Sequence, residues 1–110
     1  MVKKIQNFIN NLIKIGQTAE ENDQIISESS QEDYWFHLSN LPSCHVIISC
    51  NKTNPLTKEM IIYCARLVKE NTKYKNYSKL KVNYCQIKNV KKTDVKGKVN
   101  IKGKINTILI

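Results

Sequence analysis

At 110 residues with 41% apolar and 25% charged side chains, the chain has enough material for one modest core and is too hydrophobic to be intrinsically disordered. Its net charge of +9 points to a polyanionic partner. Its four cysteines (Cys44, Cys50, Cys64 and Cys85) lack the close CxxC pairing of a zinc knuckle or a thioredoxin-like site and read as small buried hydrophobes.

Composition alone overstates the charge argument, because 17 Lys, 13 Asn and 15 Ile stand beside a single arginine, Arg66, a pattern expected of an AT-rich genome. Position is more informative. Residues 1–50 carry three Lys against six Asp and Glu, whereas residues 51–110 carry fifteen Lys and Arg against three. Codon bias raises lysine everywhere and does not explain that asymmetry, so a basic face on the second half is expected.

Met1 to Lys4 is basic, but Asn7, Asn10 and Asn11 interrupt the apolar run that follows, which is the pattern of neither a signal peptide nor a membrane span. A cytoplasmic protein without membrane association is the expectation. Residues 1–12 are read as an N-terminal extension or first strand ahead of a domain over residues 13–110. Around Asn10-Asn11 a short hairpin is expected, ending at Gly16. Thr18 can cap a short helix over about 19–29, with Glu20, Glu21 and Asp23 in the first turn, where the helix dipole favours carboxylates.

From Asp33 to Leu38 the residues alternate, Tyr34, Phe36 and Leu38 on one face and Asp33, Trp35 and His37 on the other. This predicts a strand. A turn at Pro42 and the β-branched run from His45 to Cys50 predict a second strand pairing with it as a hairpin. A long helix over about 57–72 is capped by Thr57, with Ile61, Cys64, Ala65 and Val68 as its inward stripe. Leu80, Val82 and Tyr84 then alternate with Lys81, Asn83 and Cys85, and a final hairpin is expected from Val99–Ile101 through Lys102-Gly103 to Ile105–Leu109. The fold class is α+β: a single domain with a mostly antiparallel sheet, the long helix packed on it and the shorter helix near the N-terminus.

Several stretches have a recognisable order: Gly16-Gln17-Thr18-Ala19-Glu20-Glu21-Asn22-Asp23, then Asp33-Tyr34-Trp35-Phe36-His37, then Leu41-Pro42-Ser43-Cys44-His45-Val46, and later Val82-Asn83-Tyr84-Cys85, Val90-Lys91-Lys92 and Gly97-Lys98-Val99. From Ile13 to Ile110 the chain resembles the NFACT-R domain, the C-terminal RNA-binding module of the NFACT ribosome quality-control proteins, which also occurs as a short stand-alone protein. The resemblance implies an RNA-binding role, in full-length relatives on the large ribosomal subunit and tRNA while stalled nascent chains are extended. It marks Asn22, Asp33 and His45 as motif residues. This chain departs from the family pattern at Ser43 (usually glycine), at Cys85 (usually threonine) and over Thr93 to Lys96, where the family has a Pro/Gly-containing loop. Neither the N-terminal NFACT domain nor a coiled-coil arm is present in these residues, so the binding part, or a regulator of it, is what the resemblance implies.

Two groups of residues are candidates for nucleic-acid binding. Trp35 and His37 share a strand face, where an aromatic and an imidazole stack unpaired bases if exposed and complete a core if buried. Lys88, Lys91, Lys92, Lys96, Lys98, Lys102 and Lys104 lie on one loop and its adjoining strands, and cluster whatever the detailed fold. As point charges they suit phosphate-backbone contact better than base reading.

Asp33, His37 and His45 contain metal-ligating types but lack a further strong ligand or a nucleophile with its base, so no metal, no cofactor and no catalytic residue is assigned. No GxGxxG or GxxxxGK[ST] motif is present. The expected partner is RNA (ribosomal RNA, tRNA or a ribonucleoprotein), with DNA as a further candidate. The chain is expected not to be an enzyme. The alternative is a protein-interaction or scaffold domain whose basic face docks on an acidic partner.

Overall fold

The computed structural model describes residues 1–110. The chain runs β1 (Lys3–Phe8), β2 (Asn11–Gly16), α1 (Ala19–Ser27), β3 (Tyr34–Leu38), β4 (His45–Ile48), α2 (Lys58–Glu70), β5 (Lys81–Gln86), a single 3-10 turn (Ile87–Asn89), β6 (Val90–Lys92), β7 (Val99–Ile101) and β8 (Asn106–Leu109). Six strands form one sheet in the order β1-β2-β4-β3-β5-β8, antiparallel at every step, and β6 and β7 form a separate two-stranded ribbon. The fold is α+β, and both helices fall where the sequence places them.

Both helices start for the expected reason. Thr18 and Thr57 have extended backbone, and their hydroxyls accept from the amides of Glu21 and Met60, satisfying a donor that the first helical turn leaves free. The buried stripe of α2 is broader than the sequence reading: Met60, Cys64, Ala65, Leu67 and Val68 are buried, while Ile61 is only partly covered.

Strand alternation divides the core in two. On one face Ile13, Ile15, Phe36, Leu38, Val46, Ile48 and Val82 pack beneath α2. On the other, Trp35, Ile47 and Cys85 pack with Ile25 and Ile26 of α1, Ile87, and Val90 of the ribbon. Cys85, on the same face as Lys81 and Asn83, is 1% exposed, as its reading as a small buried hydrophobe implies, because α1 and the ribbon cover that face. A six-stranded antiparallel sheet can leave one face in water; here the second layer makes it a core.

The expected final hairpin does not form. β7 pairs with β6, matching Val90 to Ile101 and Lys92 to Val99, whereas β8 pairs with β5, matching Val82 to Ile108. The two halves have different hydrophobic destinations: Val99 and Ile101 join the α1-side cluster, and Ile108 and Ile110 join the α2-side cluster. Gly103, with φ +79°, sits in the connection between them. Tertiary burial outranks the local turn signal here.

Polar side chains tie the layers at the strand ends. Asn11 Nδ2 donates to the carbonyls of Ser49 and Asn54, at 2.8 and 3.0 Å, joining the start of β2 to the exit of β4. Asp33 accepts from the amides of Ser30 (2.9 Å) and Cys50 (3.0 Å), and its carbonyl accepts from Ile87 N–H. Ser43, at a position where the resembled family favours glycine, accepts from the Leu38 amide at 3.1 Å and so closes the β3–β4 turn with its hydroxyl.

Gly16 is required by close approach. A methyl group there would lie 2.5 Å from Asn22 Oδ1 and 2.9 Å from Asn22 N, so α1 sits on β2 only because position 16 has no side chain. Gly16→Ala is expected to cost about 1–3 kcal/mol, the usual range for overpacking a well-filled contact. A thermal melt checks it, and an unchanged midpoint overturns this account of the α1–β2 contact.

Candidate nucleic-acid interface

The register of the sheet puts the motif residues side by side. Gly16 pairs with His45 across β2–β4, and His37 pairs with Asn83 across β3–β5. Because cross-strand partners share a face, the side chains of His45, His37 and Asn83 rise on the α1 side of the sheet. His37 and His45 rings meet edge to face with centroids 4.9 Å apart, and His37 lies parallel to the Trp35 indole at 5.4 Å. Asn22, in α1, closes the end of the row: its Oδ1 accepts from the His45 backbone N–H at 3.3 Å.

These residues border a cleft of about 650 Å³. Its floor is Trp35, His37, His45 and Asn83, one wall is the Asn40–Ser43 turn, and the other is formed by Lys96, Gly97, Lys98 and Val99 with Ala19 and Asn22. Gly97 has φ +80°, and a Cβ there would lie 2.9 Å from Ala19 Cα, so the loop is pressed onto the first turn of α1. That seat brings Lys96 and Lys98 to the rim.

The two histidines are held neutral at physiological pH. Burial, with His37 beside it, pushes the His45 imidazole down to about 3, and burial holds His37 below its ordinary value. The four thiols are buried and free; burial pushes Cys44, Cys50 and Cys85 up to about 11, and Cys64 higher still. They stay protonated and serve as packing groups.

The structure sorts the candidate residues. Trp35 is 3% exposed, so the reading of it as a base-stacking surface gives way to a core role: its Nε1–H donates to His45 Nδ1 at 3.1 Å and His37 covers its ring. His37 remains half-buried and reaches the cleft. Asp33 shares its strand with His37 but turns its carboxylate to Ser30 and Cys50, and does not join the histidines.

Among the lysines, Lys88, Lys91, Lys96, Lys98, Lys102 and Lys104 are exposed and make no ion pair. Lys92 does not belong with them electrostatically, because its ammonium reaches Asp23 at 3.3 Å and Ser27 on α1. Only Lys96 and Lys98 line the cleft. Asn22, Asn40 and Asn83 were not read from the sequence as cleft-lining groups; the two-residue period places Asn83 on the His37 face, but nothing local shows that this face stays open there.

No helix is long and apolar enough to cross a membrane. The NFACT protein RNA binding domain family matches residues 1–107. Coiled-coil domain-containing protein 25 of Bos taurus is 34% identical over 85 residues, and that of Danio rerio 33% over 85. Each alignment covers 74% of this chain but 41% of the relative, so the chain spans less than half of these curated proteins. Among solved structures, the C-terminal part of the fibronectin/fibrinogen-binding protein from Streptococcus suis superposes with a TM-score of 0.85 at 20% identity, over 99% of this chain and 44% of that one. With its motif residues gathered on one face and a family match over nearly its whole length, the chain belongs to the NFACT RNA-binding domain family, and its general role is to bind nucleic acid.

Proposed function

We propose that this domain is a non-catalytic RNA-binding module acting in the cytoplasm on ribosomal RNA, tRNA or a ribonucleoprotein surface, as in ribosome-associated quality control. The family match over residues 1–107 carries the reading. The exposed lysines of the 88–104 region that make no ion pair support it, since six of them stand against one carboxylate, Asp94, and are free to contact phosphates. Lysine rather than arginine favours recognition of backbone and shape.

Filter binding across a salt series tests the proposal. With about five phosphate contacts on single-stranded RNA, the slope of log K against log salt is near −3.5, at about −0.7 per contact. Lys91→Glu, together with Lys88→Glu, weakens binding several-fold and flattens the slope. Lys92→Glu contributes less phosphate affinity and instead loosens the tie to α1. Undetectable or salt-independent binding to rRNA, tRNA and mixed oligonucleotides overturns the reading, and a partner retained after nuclease treatment favours docking on an acidic protein.

A further inference from the structure

Two donors in the cleft have no acceptor. An indole N–H can only donate, so His45 Nδ1, which receives it, carries no proton, and the neutral ring carries its proton on Nε2. That Nε2–H has no partner within the chain although His45 is 3% exposed. Asn22 is 7% exposed; its Oδ1 is occupied by the His45 amide, and its Nδ2 likewise has no acceptor. No fully buried polar side-chain atom in the molecule lacks a partner, so both donors reach solvent, and both residues line the cleft. Donors that reach a cleft without a protein acceptor are met by water, and a ligand that displaces that water must supply acceptors of its own.

The rest of the cleft narrows the class of ligand. Its volume of about 650 Å³ exceeds that of a single base, and apolar atoms contribute most of its lining. His37, stacked parallel to Trp35, presents a flat, uncharged ring, the kind on which unpaired bases stack. Lys96 and Lys98 line the cleft and are exposed to solvent, a placement that suits contact with a phosphate.

We infer that this cleft receives one unpaired nucleotide of the bound RNA, its base beside His37, an acceptor edge toward His45 Nε2–H and Asn22 Nδ2–H, and its phosphate at Lys96 and Lys98. The inference rests on the RNA-binding reading and adds to it a pocket and a preference. Donors reward acceptors: guanine offers O6 and N7 together, whereas adenine sets an amino group beside N7. A guanine is therefore favoured over an adenine, and a fully paired duplex does not fill the pocket.

Trp35, the chain's single tryptophan, forms part of the floor and reports occupancy. Titration with a short single-stranded RNA containing guanines is expected to change Trp35 emission, with an adenine-only strand doing so more weakly, a duplex not at all, and guanosine 5′-monophosphate alone only at much higher concentration. Asn22→Asp keeps the acceptor for the His45 amide and replaces the free donor with an oxygen. It should lower affinity for the guanine strand about tenfold, equivalent to roughly 1.4 kcal/mol, and abolish the difference between guanine and adenine strands. Should Asn22→Asp fold poorly, His37→Ala gives a second test, with the emission change reduced and binding weakened several-fold. RNA that binds with the expected salt slope while emission stays constant and both variants bind normally overturns the pocket and leaves the RNA-binding reading standing. Absence of any binding overturns both. Guanosine monophosphate binding as tightly as the oligonucleotide would make the site one for free nucleotides and overturn its assignment to RNA.

Discussion

Trp35→Ala is expected to remove a large share of the domain's stability. Truncating a buried Trp costs about 3–5 kcal/mol, and here the loss also strips the donor from His45 Nδ1, stranding a buried acceptor at a further 1–3 kcal/mol or so. A domain of this size is stable by only about 5–15 kcal/mol. The effect is large because the indole joins three elements: it is paired to Ile47 of β4 and Cys85 of β5 and lies in the cluster beneath Ile25 and Ile26 of α1. Trp35→Phe keeps most of the packing and isolates the hydrogen bond, so its cost should be far smaller. Urea unfolding of the two variants checks this. Equal and small losses for both would mean that the second core contributes little.

The second large effect is acid sensitivity through His45. The unfolded chain takes up this proton near pH 6.5, but the folded chain does not until about pH 3, so between these values the unfolded state holds more protons. Stability from His45 is therefore complete above about pH 6.5 and is lost as the pH falls, at about 1.4 kcal/mol per pH unit. His37, whose imidazole is also depressed by burial, adds in the same direction. The surroundings offer no rescue: Trp35, Asn22 and His37 contact His45 without a carboxylate, and Lys96 and Lys98 line the same cleft. Urea unfolding should show about 3 kcal/mol less stability at pH 4.5 than at pH 7. His45→Gln, less stable at pH 7, should lose most of that pH dependence. Identical midpoints at the two pH values for the parent chain would contradict a neutral buried His45.

These predictions turn on the α1 face of the sheet, which was only partly legible in the sequence. The strand Tyr34–Leu38 was visible from alternation, and so was the grouping of Trp35 with His37. Period two assigns residues to faces but does not say what covers a face. Whether Trp35 was a platform or a core residue depended on α1 and the β6–β7 ribbon arriving over it, and both arrive from distant parts of the chain. The same limit governed the lysines: their crowding between 88 and 104 was plain, yet only folding brought Lys92 to Asp23, sixty-nine residues away, and withdrew it from the free charges.

The sequence by itself determined the α+β class, both helices with their threonine caps, the β1–β2 and β3–β4 hairpins, and the family to which the chain belongs. Each of these rests on local signals: hydrophobic period, side-chain capping, turn residues and short motifs. Tertiary structure decided the partner of each C-terminal strand, the burial of Trp35, and the joining of Asn22, His37, His45, Lys96 and Lys98 around one cleft. Those outcomes depend on which apolar surface lies nearest after the chain has folded back on itself. That competition among long-range contacts leaves no periodic trace in the order of residues.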